Sequence, residues 1–345
     1  MRELQDYLLP DGRYYFDNAA TTKMSKEALR VYNETAERWF MNPMSYRDFD
    51  PEIERLLTNA REKVIDFVGG DPYKDKAIFT SGATESINLL LKGHYFANFH
   101  ERKKIITSPI EHKAVLETCR YLESIGAELE FVNITSDGVV DYDHLEKLVD
   151  QDTLFVTLMH VNNETGEISD LERIYDIVKP SGAKFFTDTT QSITKLEVDA
   201  KYFDACVGSG HKFHGPKGVG FLYMRPGVEI SSIQHGGGQE YGLRAGTHNL
   251  PGILSMVSVL NPIKSVSLSA VIIELKIHDY LPKKYGMRTS PFIHAFNYQE
   301  DFSEFLRFSR DFFVFSSGSS CKGGIHEESH VSIYLNFKKM IRISL

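Results

Sequence analysis

Five polar clusters, SGATES, SPIEHK, HVNNE, TDTTQS and GSGHK, each follow directly on a short apolar run between residues 76 and 212. The runs KAIFTS, KIITS, LEFVNI, TLFVTLM, KFFTD, ACVGS and GVGFLYM have the length and composition of buried strands. Between them lie stretches with helical spacing. Ile87, Leu90, Leu91 and His94 form one set, Val115, Cys119 and Leu122 another, and DYDHLEKLVD and DLERIYDIVK two more. Strands alternating with helices predict βαβ units with right-handed crossovers, hence an α/β fold with a mostly parallel sheet. Ligands of such sheets bind beyond the carboxyl ends of the strands. The five clusters are therefore expected to converge on one rim.

A chain of 345 residues, 42% of them hydrophobic, suits one large domain and one smaller one. After Pro251 the alternation weakens, although SPFIHAFNY and DFFVFSSGS still read as strands. The expected division is a large domain over residues 15–250, with residues 1–14 and 251–345 forming a smaller α+β domain. A net charge of -8 argues against a nucleic-acid binder, which usually carries a basic face. The first residues carry acids early and do not read as a signal peptide, and no run approaches the roughly 18 apolar residues of a membrane span. A cytoplasmic location is the expectation. Cys119, Cys206 and Cys321 are too scattered for a disulfide framework or a zinc site.

Each candidate for chemistry has a bland reading beside it. Lys212, within GSGHKFHGPKG, could form a Schiff base, or could be a solvated lysine in a glycine-rich turn. Asp188 at the end of KFFTD could pair with a protonated pyridine nitrogen, or be a helix N-cap. Ala83 and Thr84 could offer donors to an anion at a helix start, or simply begin a capped helix. His112 could stack on a cofactor and pass protons, or be structural. Cys119 on a helix face and Cys206 in a strand read as core. Cys321, among the serines and glycines of SSGSSCKGG, reads as an exposed reactive thiol.

Taken in order, FDNAATT, FTSGATESINLLLKG, TSPIEHKAVLETCRYLE, MHVNNETGEI, DTTQSITKLEVD, SGHKFHGPKGVGFLY, HGGGQEYGLRAGTHN, SSGSSC and IRISL resemble the NifS/IscS-type cysteine desulfurases of the class V aminotransferase family. The resemblance runs almost without interruption over residues 14–252. It implies the fold type I architecture of pyridoxal-phosphate enzymes, with a seven-stranded sheet and a reduced small domain. Lys212 would carry pyridoxal 5′-phosphate, His112 would stack on the ring, Asp188 would pair with its nitrogen and Gln191 with its phenolic oxygen. Ala83, Thr84, Ser209 and His211 would hold the phosphate, joined by Thr247 from the second subunit of a homodimer. Asn163 would touch cofactor or substrate, and Arg342 the carboxylate of L-cysteine. Cys321 would take the sulfur as a persulfide, releasing L-alanine, and pass it to an acceptor or scaffold protein for iron–sulfur clusters or other thio-cofactors. No metal is implied.

The sequence departs from the family pattern in a short stretch between Gly252 and Ser316, a short gap from Cys321 to Arg342, and an end at IRISL. DTTQS also replaces DATQS, and SYRDFD lacks a histidine often found there. Two other readings are carried: another class V enzyme, such as a selenocysteine lyase or an aminotransferase, and a weakly active scaffold or regulator of sulfur trafficking.

Overall fold

The computed structural model describes residues 7–46, 51–263, 289–298, 313–316, 329–337 and 339–345. A two-residue strand β1 (Tyr14–Tyr15) leads into helices α1 (Lys26–Arg38), α2 (Pro43–Tyr46) and α3 (Glu52–Phe67). All seven apolar runs then form strands. These are β2 (Lys76–Thr80), β3 (Lys104–Thr107), β4 (Glu128–Phe131), β5 (Thr153–Thr157), β6 (Lys184–Asp188), β7 (Ala205–Ser209) and β8 (Gly220–Met224). The helical stretches become α4 (Ala83–Asn98), α5 (Lys113–Ser124), α6 (Tyr142–Leu148) and α7 (Leu171–Val178), and α8 (Leu250–Ser258) follows.

The sheet is seven-stranded, in the order β2-β8-β7-β6-β5-β3-β4. Strands β3 to β7 pair in parallel, whereas β8 runs antiparallel to both its neighbours β7 and β2. Being reversed twice, β2 points the same way as the parallel group. Six carboxyl ends therefore share one rim, as the polar clusters predict.

Side chains alternate across the sheet and build a core on each face. Phe79, Val156, Phe185, Cys206, Phe221 and Tyr223 pack with residues of α3, α7 and α8 on one side. Ile78, Ile105, Phe155, Phe186, Val207 and Leu222 pack with α4 and α5 on the other. Strands buried on both faces need the near-continuous apolar runs the sequence shows. Cys119 and Cys206 are buried free thiols within these cores, as expected.

Beyond the main sheet, β9 (Ile293–Tyr298) pairs antiparallel with β11 (Lys339–Ser344), and β1 pairs with β10 (Phe313–Val314). A bridge between Asp17 and Ser344, with Ala19 N–H donating to Ser344 Oγ at 2.8 Å, ties the β11 end to the segment after β1. That tie brings residue 342 to the rim. Among the described residues no helix is long and apolar enough to cross a membrane.

Candidate active site

A cleft of about 550 Å3 opens at the carboxyl rim of the sheet. Its walls include Ala83, Thr84, His112, Asn163, Asp188, Gln191, Ser209, His211, Lys212 and Arg342. Ten of the candidate residues thus meet in one space, drawn from the ends of β2, β3, β5, β6 and β7 and from β11. Thr247 is exposed and does not line the cleft of its own chain. Cys321 lies outside the described residues.

Each wall is placed by local chemistry. Lys212, in the turn after β7, is half-buried and donates from Nζ to the carbonyls of Ala19 and Ala20, both at 2.7 Å. It is not the solvated lysine of the bland reading. Asp188 does two things at once: Oδ1 accepts from Thr190 N–H at 2.9 Å, closing a turn, while the residue lines the cleft. His112 is the N-cap of α5, and its Nδ1 accepts from Ala114 N–H at 3.1 Å. In the neutral ring the proton then sits on Nε2.

The residue before His112 is unusual. Glu111 is buried, with Oε1 accepting from Ser108 Oγ at 2.9 Å and from Met159 N–H at 3.0 Å. Burial, with the nearby charge of Asp188, pushes its carboxyl up to about 8. Asn162 fixes the opposite wall: its Nδ2 donates to Ile110 O at 3.0 Å, and its Oδ1 accepts from Glu164 and Thr165 N–H at 2.9 Å. That turn leads into Asn163, which lines the same cleft as His112.

At the start of α4, Gly82 stands at the N-cap with no side-chain cap, in a conformation (φ 152°, ψ 179°) open to glycine. The first N–H groups of a helix have no partner within it, so this end favours an anion. The loop can lie this close to the sheet because both sides are glycine. A Cβ on Gly220 would fall 2.5 Å from Gly208 O and 2.6 Å from Gly82 Cα. Glu85, on the first turn, pairs with Arg244 at 2.6 Å and accepts from Ser81 N–H at the same distance.

His211 meets Thr21 Oγ1 at 3.0 Å through Nδ1. Burial and the charges of Lys212, Lys217 and Lys195 depress it to about 4, so it is neutral at pH 7. Arg342 is 1% exposed; Nη1 donates to Asn163 O at 2.8 Å, and Nη2 to Asp17 Oδ1 at 2.6 Å. The guanidinium is thereby aimed by an anion and a carbonyl.

Sequence reasoning missed several parts of the site. The carbonyls of Ala19 and Ala20 leave no side-chain signal, although FDNAATT contains them. Asp17, in the same motif, was visible but had no partner to suggest until Arg342 was placed beside it. Lys195, which donates from Nζ to Gln191 Oε1 at 3.2 Å, follows Gln191 by one turn in QSITK and was also legible.

Comparison with known proteins shows the family. Residues 14–345 match the family description "Aminotransferase class-V". The chain is 37% identical over 338 residues to "Cysteine desulfurase IscS" of Dictyoglomus turgidum, covering 93% of this chain and 85% of that one. It is 36% identical to the protein of the same name from Methanosarcina thermophila, over 92% and 82% of the two chains. Among solved structures, "SspA in complex with cysteine" superposes with a TM-score of 0.86 at 33% identity, covering 96% of this chain and 98% of that one. A "NIFS-LIKE PROTEIN" gives 0.82 at 33% identity, over 96% and 93%. With a family match over nearly its whole length, the same sheet, and the expected side chains around one cleft, this chain belongs to the class V aminotransferase family of pyridoxal-phosphate enzymes, on its cysteine desulfurase-like branch.

Proposed function

We propose that this protein is a cysteine desulfurase that converts L-cysteine to L-alanine and leaves the sulfur on Cys321 as a persulfide. The observation that carries the reading is the meeting of Lys212, Asp188 and His112 in one cleft with Arg342 on its wall. The residues present fit pyridoxal phosphate, which has an aldehyde, a ring nitrogen and a phosphate to satisfy. Lys212 is the amine for the first and Asp188 the carboxylate for the second. Ala83, Thr84, Ser209 and His211 surround the uncapped start of α4 for the third. His112 would face the ring, Gln191 would meet its phenolic oxygen, and Thr247 would serve the site of a second copy in a homodimer.

When bound, the cofactor supplies an electron-poor ring that stabilises negative charge at the substrate α-carbon. The protein does the rest. Arg342 binds the carboxylate of cysteine, with Asn163 beside it. Lys212 and His112 carry protons to and from the substrate carbons, His112 through Nε2 because Nδ1 is engaged. The Cys321 thiolate attacks the substrate sulfur. An S–S bond forms as the Cβ–S bond breaks, the electron pair leaves with carbon, and a proton completes the methyl group of alanine. Thiolate chemistry of this kind needs no metal.

Chain length supports the assignment of the thiol. Ser316 pairs with Arg342 through its backbone, N–H to carbonyl in both directions at 3.4 and 2.8 Å. Five residues of extended chain span at most about 18 Å, a length compatible with a thiol at 321 serving the cleft. The smaller domain of residues 1–14 and 251–345 would bring this tether and Arg342 to the rim. The natural substrate is L-cysteine and the sulfur goes on to an acceptor protein; SspA, a relative of this chain, is described in complex with cysteine.

The test follows absorbance, alanine and sulfide together. Purified protein loaded with pyridoxal phosphate should show a visible band that changes when L-cysteine is added, and should release alanine and, with a thiol reductant, sulfide. Cys321→Ala should keep the band and its change but lose turnover, whereas Lys212→Ala should lose the covalently held cofactor. Alanine formed by Cys321→Ala at the wild-type rate would refute the assigned acceptor.

A further inference from the structure

Gln191 is buried, 4% exposed, and both ends of its amide are engaged. Lys195 Nζ donates to Oε1 at 3.2 Å, and Nε2 donates to Ala19 O at 2.8 Å. The same Ala19 carbonyl accepts from Lys212 Nζ at 2.7 Å, so the amide sits beside the lysine that carries the cofactor. We propose that Lys195 is a positioning residue: it dictates which end of the Gln191 amide meets the ring oxygen of the cofactor, an inference that rests on the function proposed above.

The argument is one of donors and acceptors. With Oε1 held by an ammonium and one Nε2 hydrogen held by a carbonyl, the second Nε2 hydrogen is the group offered to a further acceptor. Turning the amide over would set Nε2 against the ammonium, donor to donor, and Oε1 against the Ala19 carbonyl, acceptor to acceptor. Both contacts would be repulsive, so the orientation is enforced from two sides. An anionic ring oxygen then meets a donor. Without the ammonium, only Ala19 opposes the turned amide, which would present an acceptor to the same oxygen.

The backbone brings Lys195 into place. Thr194 has φ 66°, a left-handed conformation, and the N–H groups of Lys195 and Leu196 both donate to Ser192 O at 2.8 Å. The chain reverses there and returns the lysine to the side chain four residues earlier. The field of Lys195 also reaches the cleft, for after burial it is one of three lysine charges that depress His211. Lys195 acts from behind Gln191, and the charged and titratable groups that line the cleft itself are Lys212, Lys217, His211, His112, Asp188, Glu85 and Arg342.

The experiment is a spectrophotometric pH titration of the protein carrying pyridoxal phosphate, without substrate. Wild type, Lys195→Met, Lys195→Arg, Gln191→Leu and the Lys195→Met/Gln191→Leu double variant are compared. Lys195→Met should raise the midpoint by about half a pH unit or more, since a donor to the charged form has been lost. Gln191→Leu should raise it comparably, Lys195→Arg should stay near wild type, and the double variant should shift no further than Gln191→Leu. A midpoint unmoved in Lys195→Met while Gln191→Leu moves would overturn the proposal and spare the site. A Lys195→Met shift that persists undiminished in the Gln191→Leu background would also overturn it, because the charge would then act without the amide. If neither single variant moves, the Gln191 contact falls together with the role of Lys195. A wild-type protein with no cofactor band would reject the proposed function itself.

Discussion

Replacing Thr194 with glycine should leave stability nearly unchanged, although it truncates a buried side chain. Thr194 is β-branched and sits at φ 66°, where an L side chain crowds the backbone at a cost of about 1–2 kcal/mol. It is 2% exposed, and among the described residues its Oγ1 has no hydrogen-bond partner, which adds about 1 kcal/mol of unrecovered desolvation. Against this, deleting the buried Cβ and its methyl group forfeits about 1.6 kcal/mol of burial. The extra freedom of glycine in the unfolded chain costs about 0.5–1 kcal/mol. Gains and losses therefore cancel to within about 1 kcal/mol. For a chain of 345 residues, an unfolding entropy of about 0.7 kcal/mol/K keeps the change in Tm within roughly 1.4 °C. Scanning calorimetry at several scan rates measures it, with Thr194→Ala as the control. Alanine keeps a buried Cβ and a stiffer unfolded chain, together about 1.3–1.8 kcal/mol over glycine at an ordinary position. Here it also keeps the left-handed strain, so the two variants should match within about 0.5 kcal/mol. Glycine falling more than about 1 kcal/mol below alanine would refute the strain argument.

Two further outcomes follow from buried groups. His94 is 3% exposed, bonded through Nδ1 to Glu229 O at 2.8 Å, and set edge-on to Phe155 and Phe186; burial, first, depresses it to about 4. Its folded value lies below the unfolded value of about 6.5, so the stability is present above pH 6.5 and is lost as pH falls toward 4, up to about 3 kcal/mol in all. Thermal melts from pH 7 to 5 should fall more steeply in wild type than in a His94→Gln variant, and NMR should find the ring neutral at pH 5.5. Gly220→Ala should cost more than about 2 kcal/mol, because its Cβ would meet backbone at 2.5–2.6 Å on both the β7 and Gly82 sides and neither can yield. A soluble Gly220→Ala protein with wild-type Tm and cofactor affinity would show that the loop is looser than drawn.

Much of the fold was legible because it depends on local periodicity. Seven apolar runs became seven strands, and the polar ends of KAIFT, KFFTD and ACVGS had to share a rim once those strands ran the same way. The reversal of β8 was not legible. GVGFLYM reads the same in either direction, and only its antiparallel pairing with β7 and β2 shows that it is inserted between them. The likeness to a known family supplied roles for residues whose bland readings could not be dismissed one by one; Lys212, for example, is a lysine in a glycine-rich turn until the carbonyls of Ala19 and Ala20 are seen to receive it.

The amino-acid order by itself determined the alternation of strand and helix, the polar segments at the strand ends, and the choice of Lys212, Asp188 and His112 as chemistry-bearing groups. Tertiary structure alone decided that Asp17 aims Arg342 across 325 positions of sequence and that Ala19 O draws Lys212 and Gln191 together. Periodicity is a property of neighbours in the chain, whereas an ion pair or a shared carbonyl depends on which distant surfaces the packed sheet brings within about 3 Å of each other. Such contacts leave no mark in composition or spacing.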